Sequence, residues 1–383
     1  MSRHVLVMSG MLGLALVCSY LSWTSEEGTD ADDTIVVLDG KPEQIASVVY
    51  TSEKLTVKLE VKEDKLGSYA VVTTTEQKRK PKPKKSHDDE HEEAPPIEEP
   101  EIEPGPPTDA PEDAPAEAPA EEEPEVAVPE EPEYEDVVTV FKGGKSSDEL
   151  LESLAPFVAK RALRDVPVES YEDYGLTEPT ASLVVTRSGK EAKTYQVGGE
   201  AYGTRDLYLL DEGSGQVYLM DKDLLRPLKY APSRMPDRDL LGVEMGDVTA
   251  LRIESPAGTR ELEQRNRADS KNAFFAAKGS DEKDEAAALW LDKALALKAS
   301  GTVQPGEEPK DLATAFALTF LTSDGPVTLV VSQGTDPEGK PGWYASSEHT
   351  RGLVELHEAQ ASEANFDLDV VFDSSEEPLP VPE

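Results

Sequence analysis

The sequence predicts an α+β protein with a single N-terminal transmembrane helix followed by two tandem lobes of antiparallel sheet with packed helices. Three observations favour this architecture: an uncharged apolar run at the N-terminus, many short runs rich in Val, Leu and Tyr, and two amphipathic helical segments. An acidic, Pro-rich insert interrupts the strands. The predicted segments are an anchor (1–25), the first strands of lobe 1 (34–76), the insert (77–136), the rest of lobe 1 (137–255), lobe 2 (256–373) and an acidic tail (374–383).

Composition excludes several classes of function. The chain has 383 residues, enough to bury a core, and a formal net charge of −40. Such an acidic protein is repelled by the phosphates of nucleic acids and by anionic lipid surfaces. The single cysteine, Cys18, excludes an internal disulfide framework and a Cys-rich metal site.

The N-terminal apolar run predicts a membrane anchor. Residues 5–23 carry no charge and are just long enough to cross the hydrocarbon core as a helix. Arg3 precedes the run and Glu26 follows it closely, which places the N-terminus in the cytoplasm and the bulk of the chain outside. Three alternatives stay open: a cleaved secretory signal without a clean Ala-x-Ala site, a lipoprotein modified at Cys18 behind the bulky Val17, and a buried core helix.

Residues 34–75 predict strands at 35–38, 46–50, 55–61 and 69–75. Apolar residues alternate with charged ones such as Lys58 and Glu60, which is typical of a sheet with one face in water. We predict that these strands pair with a strand at 137–141, so that the insert is a loop within one domain.

The insert predicts disorder. Residues 78–85 are basic and punctuated by Pro, and residues 88–136 are almost entirely Glu, Asp, Pro and Ala, so they cannot bury enough apolar surface to fold. An extended spacer is the favoured interpretation, and a partner-binding tail that docks through 78–85 is the alternative. His87 and His91 lie inside the acidic run, where a solvated charge run is favoured over a metal site.

A glycine turn follows the strand at 137–141. The residues Lys142-Gly143-Gly144-Lys145-Ser146 precede a helix that carries Leu150, Leu151 and Leu154, and Ser146 or Ser147 is the expected N-cap. A phosphate-binding loop requires G-x-x-x-x-G-K-[ST], and Thr139 stands at its first glycine position. The segment therefore predicts a structural turn.

Residues 174–254 predict a meander of strands joined by tight turns. Four features carry a resemblance: the opening Tyr174-Gly175-Leu176-Thr177-Glu178-Pro179, the Val197-Gly198 turn, a hairpin from Tyr208-Leu209-Leu210-Asp211 to Gly215-Gln216-Val217-Tyr218-Leu219-Met220, and Arg238-Asp239-Leu240-Leu241. This stretch resembles the bacterial DUF4340 family, a domain of unknown function. The resemblance implies a single-pass protein of the bacterial inner membrane with its bulk in the periplasm. It also implies ABC-transporter subunits as partners, because members are encoded in many genomes near parts of a gliding-type transporter. The family has no established active-site residues to transfer.

Two groups in the meander are candidate sites. Tyr208, Tyr218 and Tyr230 would suit a sugar- or peptide-binding face, although tyrosines on alternating strands are more often half-buried core. The second group places two guanidinium groups among carboxylates, which permits acid–base chemistry but usually indicates surface salt bridges; its members are Arg234, Asp237, Arg238 and Asp239.

Residues 256–373 repeat the order of elements of lobe 1. A helix at 284–298 precedes strands at 315–321, 327–331, 343–345 and 353–356, and a short strand at 273–276 comes before it. Gly215-Gln216-Val217-Tyr218-Leu219 and Gly352-Leu353-Val354-Glu355-Leu356 are the most similar pair of segments. The pattern predicts a degenerate internal duplication.

The sequence favours a non-enzymatic accessory or interaction protein that meets a partner protein outside the membrane. The alternative is a binding protein for a small ligand such as a glycan or peptide, with Tyr208, Tyr218 or Trp343 in a cleft between the lobes. No G-x-S-x-G, H-E-x-x-H or EF-hand motif occurs, so we predict no catalytic, cofactor-binding or metal-ligating residues and no cofactor. An enzyme would require carboxylates that converge in a cleft.

Overall fold

A computed structural model describes residues 35–79, 134–269 and 271–373. These residues form mainly antiparallel sheets with a few helices, which confirms the α+β class. The predicted anchor, the acidic tail and most of the insert lie outside the described residues. Within the described ranges, no helix has the length and apolar character needed to cross a membrane. The described residues 35–76, 137–269 and 271–373 belong to one compact unit. The two ends of the predicted insert, residues 77–79 and 134–136, are strand, which corrects its predicted bounds of 77–136.

The described chain alternates runs of strands with short helices. The strands are β1 Ile35–Leu38, β2 Ile45–Ser52, β3 Leu55–Asp64, β4 Gly67–Arg79, β5 Tyr134–Lys142, β6 Phe157–Ala159, β7 Arg161–Leu163, β8 Ala181–Arg187, β9 Lys193–Glu200, β10 Asp206–Asp211, β11 Val217–Asp221, β12 Val248–Ser255, β13 Gly258–Arg265, β14 Phe274–Ala277, β15 Ala299–Thr302, β16 Lys310–Thr322, β17 Gly325–Thr335, β18 Pro341–Ser347 and β19 Gly352–Leu356. The α-helices are α1 Lys145–Leu154, α2 Arg226–Lys229, α3 Ala231–Arg234, α4 Glu285–Leu295, α5 Glu358–Phe366 and α6 Leu368–Asp373.

The first large sheet has nine strands in the order β5-β4-β3-β2-β8-β9-β10-β11-β7. Alternation places residues such as Val57 and Leu59 on its buried face, where Leu150 and Leu154 of α1 join the same core. β5 lies next to β4 in this order, so the strands on either side of the insert are neighbours, as the sequence predicts. The separate strands β1 and β6 pair with each other and add Leu38 and Phe157 to the core.

The second large sheet has eight strands in the order β14-β13-β12-β16-β17-β18-β19-β15. Helix α4 covers it, and the Asp284 side chain caps the helix by accepting a hydrogen bond from the Ala287 N–H at 3.0 Å. Trp290 of α4 packs edge-on against Phe316 of β16, with ring centroids 5.3 Å apart, at the centre of this second core.

The two sheets share one strand order. Eight strands of the first sheet, in the order β4-β3-β2-β8-β9-β10-β11-β7, correspond one by one to the second sheet, β14-β13-β12-β16-β17-β18-β19-β15. β5 is the one extra strand of the first sheet, and the separate pair β1-β6 has no counterpart among the described residues. Helices α1 and α4 occupy equivalent places in the chain. The segments Gly215–Leu219 and Gly352–Leu356 fall on β11 and β19, which are equivalent positions. Common descent of the two halves stays a prediction.

The start of α1 differs from the expectation. Gly144, and not Ser146 or Ser147, is the N-cap, and its carbonyl accepts from the Ser147 N–H at 2.8 Å. The Gly144 N–H is held by the carbonyl of Met235 at 2.8 Å, which fixes the helix start two residues earlier. Ser147 is buried instead of capping.

Candidate functional site

The candidate site is a cleft of about 590 Å³ where the two large sheets meet. We call it the junction cleft. The first sheet contributes the β3–β4 turn and the end of β5, and the second contributes the β16–β17 and β18–β19 turns. A segment without regular structure, residues 235–243, connects the two halves and forms part of the wall. We call this segment the linker.

Two glycines allow the linker to lie against the end of β5. A Cβ atom on Gly144 would stand 2.9 Å from Cα of Asp237, and one on Gly143 would stand 2.5 Å from Oγ of Ser147. Gly143 forms a bridge with Pro236, and the Asp237 N–H donates to the Lys142 carbonyl at 2.9 Å. Gly144 is therefore required for the close approach of the linker, and Gly143 leaves room for the buried Ser147 side chain.

Three ionisable side chains meet on the floor of the cleft. Lys142 Nζ donates to Asp237 Oδ2 at 2.6 Å, and His349 Nε2 lies 2.9 Å from the same oxygen. Lys142 Nζ is also 3.1 Å from His349 Nε2. The Lys142 and Asp237 side chains are only 13% and 14% exposed, so their charges interact with little screening by solvent.

The environment of Asp237 holds it ionised. Burial acts to raise the pKa of its carboxyl group, but hydrogen bonds from His349 and Lys142, together with the Asp239 N–H, outweigh burial and lower the pKa to about 2. A carboxylate with so low a pKa is a poor proton donor or acceptor near neutral pH. Through these contacts the cluster holds three segments together: the end of β5, the linker and the β18–β19 turn.

A second ion pair connects the sheets at the side of the cleft. The Arg351 guanidinium donates to both carboxylate oxygens of Asp64, from Nε at 2.5 Å and from Nη2 at 3.0 Å. It also lies over the Tyr69 ring, 4.1 Å from the centroid. The hydrogen bonds from Arg351 lower the pKa of Asp64 to about 2.

The free side of β5 is joined to the second sheet by an amide. The Gln304 side chain accepts from the Val140 N–H at 2.8 Å and donates to the Val140 carbonyl at 3.2 Å, as a neighbouring strand would do. Gln304 follows β15, the edge strand of the second sheet. This contact provides hydrogen-bond partners for the backbone N–H and carbonyl of Val140, on the edge of β5 that faces away from β4.

Further contacts fix the linker to the second sheet. The Ala299 N–H donates to the Arg238 carbonyl at 3.0 Å, and the Ser347 hydroxyl donates to the Leu240 carbonyl. Gly242 has φ +61°, and a Cβ there would stand 2.2 Å from Nδ1 of His349. A glycine is therefore needed beneath the imidazole ring.

The rim of the cleft carries several carboxylates, the exposed Lys145 and an apolar side chain, Leu66. Asp148, Asp324 and Glu348 line the cleft, and within the described ranges no basic side chain forms a salt bridge with them. Burial of its carboxyl group, together with the charge of Asp237, raises the pKa of Asp148. Leu66, at the β3–β4 turn, is 57% exposed.

The predicted aromatic residues lie elsewhere. Tyr208 packs edge-on against Tyr174 with ring centroids 4.8 Å apart, Tyr218 packs against the first core, and Trp343 is buried in the second. Tyr230 is exposed, with the Arg234 guanidinium 5.7 Å from its ring centroid. None of Tyr208, Tyr218, Tyr230 and Trp343 lines the junction cleft.

The mixed-charge group is split by the fold. Asp239 pairs with Lys298 at the surface at 2.5 Å, as expected of a surface salt bridge, but Asp237 is buried in the cleft floor, which corrects the surface interpretation for that residue. Arg238 donates to the Ser233 carbonyl at 3.3 Å. Sequence reasoning missed the roles of Lys142 and His349, because these side chains meet Asp237 only in the folded chain.

His87 and His91, where the sequence favours a solvated charge run over a metal site, lie outside the described residues. In the described part of the chain, no group of three or more His, Cys, Asp or Glu side chains is placed to hold a metal ion.

Comparison with known proteins supports the family resemblance. Residues 145–315 match the model of a family described as a domain of unknown function, DUF4340, which confirms the resemblance. The match begins at α1 and ends inside β16, so it includes Asp237 and the linker but not Lys142, His349 or Arg351. No curated protein and no solved structure matches the chain.

Proposed function

We propose that this chain, whose residues 145–315 carry the DUF4340 family match, is a non-enzymatic accessory protein that binds a partner protein through the junction cleft. In this proposal the residues 1–25 anchor it in the bacterial inner membrane, and the sheets lie in the periplasm. The part of the insert between β4 and β5 acts as a spacer. The candidate partner is a subunit of a gliding-type ABC transporter, which rests on the family resemblance.

The mutual pairing of the ionisable groups on the cleft floor is the observation that supports a non-enzymatic role. Lys142, Asp237 and His349 contact one another, and Arg351 is occupied by Asp64. General acid–base catalysis favours a group with a pKa near the working pH and a reachable substrate proton. The low pKa of Asp237 opposes such a role and favours a structural one.

The rim of the cleft supports partner binding. Asp148, Asp324 and Glu348 line the cleft, and none of them forms a salt bridge within the described ranges. Lys145 lies in the same lining and pairs with Glu149, and Leu66 is exposed beside it. Protein interfaces combine an apolar anchor with a polar rim of complementary charge. A partner that presents basic side chains to the rim and a small apolar surface to Leu66 would fit these groups.

The first experiment is an affinity purification of the full-length protein from native membranes in mild detergent, followed by mass spectrometry. We expect ABC-transporter subunits to be recovered, and to be recovered equally when residues 80–133 are deleted, a deletion that leaves β4 and β5 whole. Loss of the subunits in that deletion would make the insert the docking element and would exclude the spacer role.

A charge-reversal pair tests the cleft itself. Asp324→Lys with Glu348→Lys should reduce recovery of the subunits strongly, because both side chains line the cleft. Glu178→Lys with Glu191→Lys makes the same change of charge at exposed positions outside the cleft and should leave recovery unchanged. Equal recovery with both pairs would refute the cleft as the contact site.

A further inference from the structure

Strand β5 is the outermost strand of the nine-stranded sheet, so one of its edges has no neighbouring strand among the described residues. The hydrogen bonds at its end show which backbone groups point to that outer edge. The Gly143 N–H donates to the Ala70 carbonyl of β4 at 2.8 Å, whereas the Lys142 carbonyl accepts from the Asp237 N–H of the linker at 2.9 Å. Because backbone groups alternate in direction along a strand, the N–H and carbonyl groups of positions 142, 140, 138, 136 and 134 face the outer edge.

Only the C-terminal end of this outer edge is covered. The linker covers Lys142, and the Gln304 side chain covers Val140 through its two hydrogen bonds. Within the described ranges, the outward N–H and carbonyl groups of Val138 and Asp136 have no hydrogen-bond partner, and both residues are exposed. We call the open part, residues 134–138, the β5 edge. It is about 17 Å long, and an unpaired edge of this kind can pair with an added strand.

The β5 edge combines negative charge with apolar side chains. Glu135 and Asp136 are exposed on opposite faces of the strand, and neither forms a salt bridge within the part of the chain that the structure describes. Tyr134 and Val138 are each 55% exposed and share a face with Asp136. Basic residues at 78–79 end β4, on the other side of β5, so the carboxylates are the charges at the open side.

A second copy of this chain does not suit the β5 edge. Antiparallel pairing of two copies over residues 134–138 would place Asp136 directly opposite Asp136 of the other copy. Like charges directly opposite each other destabilise a strand pair, and each chain has a formal net charge of −40. The edge therefore fits a strand of opposite charge from another protein.

We propose that the β5 edge binds an extended segment of a partner protein, which adds a strand to the nine-stranded sheet. The added strand forms backbone hydrogen bonds with Val138 and Asp136. It places two consecutive basic residues beside Asp136 and Glu135, and two consecutive apolar residues beside Val138 and Val137. The β5 edge is not part of the lining of the junction cleft, so this binding does not depend on the cleft.

The probe is a fluorescein-labelled peptide of the sequence Thr-Val-Val-Lys-Lys-Val, whose order matches an antiparallel strand. Its affinity for the full-length protein in mild detergent is measured by fluorescence anisotropy. A second peptide has both lysines replaced by glutamate, and a third has the same side chains as the probe but a methyl group on every backbone nitrogen. We expect both to bind at least roughly tenfold more weakly, since one reverses two cross-strand charge pairs and the other removes the backbone donors.

Amide hydrogen exchange identifies the edge. The amides of Asp136 and Val138 should exchange rapidly in the free protein and roughly tenfold more slowly when the probe is added, because the added strand bonds them. The amides of Val137 and Thr139 point to β4 and should not change. This alternation is specific to strand addition, since a peptide attracted only by charge would not protect every second amide.

Two changes in the protein assign the binding. Val138→Pro removes an outward N–H that β4 does not use, so it should abolish probe binding and leave the urea midpoint close to that of the natural chain. Glu135→Lys with Asp136→Lys should weaken binding roughly tenfold or more. Glu178→Lys with Glu191→Lys makes the same change of charge at exposed positions away from β5 and should keep the affinity.

Four results would overturn the proposal. Equal affinity of the probe and its methylated form would show attraction by charge without strand addition. A slowly exchanging Val138 amide in the free protein would show that another segment or a second copy already occupies the edge. Equal effects of the two charge-reversal pairs would place the probe elsewhere. Absence of probe binding up to the solubility of the peptide would show that the edge does not accept a strand of this pattern.

Discussion

Replacing Asp237 by Asn tests the ion-paired floor of the junction cleft. The change keeps the size of the side chain and an oxygen that accepts from the Asp239 N–H, but it removes the negative charge between Lys142 and His349. The carboxyl pKa falls from an ordinary 3.8 to about 2 in the folded chain. Because the side chain is only 14% exposed, this difference corresponds to about 2 kcal/mol of stability at neutral pH.

The same numbers give the direction of the pH dependence. A carboxyl group whose pKa is lower in the folded state stabilises the fold above its unfolded pKa and loses that effect as the pH falls through its folded pKa. The contribution of Asp237 should therefore be complete above about pH 5, about half lost at pH 3 and absent at about pH 1. The stability difference between the natural chain and Asp237→Asn should shrink accordingly.

The assay is urea unfolding of the full-length protein in mild detergent at several pH values, followed by the fluorescence of the buried Trp290 and Trp343. Asp239→Asn is the matched control, since Asp239 pairs with Lys298 at the surface and should cost less than about 1 kcal/mol. A stability loss for Asp237→Asn that is the same at pH 7 and pH 3, or no larger than that of the control, would refute the buried ion pair.

Two further substitutions test the contacts that hold the halves together. Gly242→Ala should destabilise the protein by about 1–3 kcal/mol more than Gly189→Ala in urea unfolding, because both glycines have positive φ but only Gly242 would place its Cβ against His349. Equal losses of stability in the two variants would mean that the His349 ring moves aside without cost. Gln304→Ala should leave the Val140 N–H without its acceptor, cost about 1–2 kcal/mol and accelerate hydrogen exchange at that amide. Unchanged exchange at Val140 would contradict the role of the amide as a substitute strand.

The strands were predictable where one face of the sheet is buried and the other is wet. In β3, apolar residues alternate with Lys58 and Glu60 in the sequence, and buried positions alternate with more exposed ones in the structure. The sequence pattern therefore predicts which face of this strand is buried. The order of elements after α1 and after α4 was also visible, because each half folds into the same succession of hairpins. These features depend on residues close to one another in the chain.

The floor of the cleft was not predictable in the same way. Asp237 stands among charges of both signs at 234–239, and such a stretch is normally a solvated surface. Its partners are Lys142 and His349, which lie 95 and 112 positions away. No local sequence pattern indicates a contact between residues so far apart in the chain. Gly242 gave no signal either, because its positive φ and its contact with His349 arise only after the linker has been placed between the halves.

The ends of the family match have a practical consequence for work on fragments. The matched segment, residues 145–315, omits β2, which is the neighbour of β8, the second half of β16 and the whole of β17. A fragment cut at those ends would expose the apolar strand β8 and half of β16 as unpaired edges. Exposed edges of this kind template aggregation. Production of the isolated family segment should therefore yield insoluble protein, and the shortest soluble fragment should extend from β1 to α6.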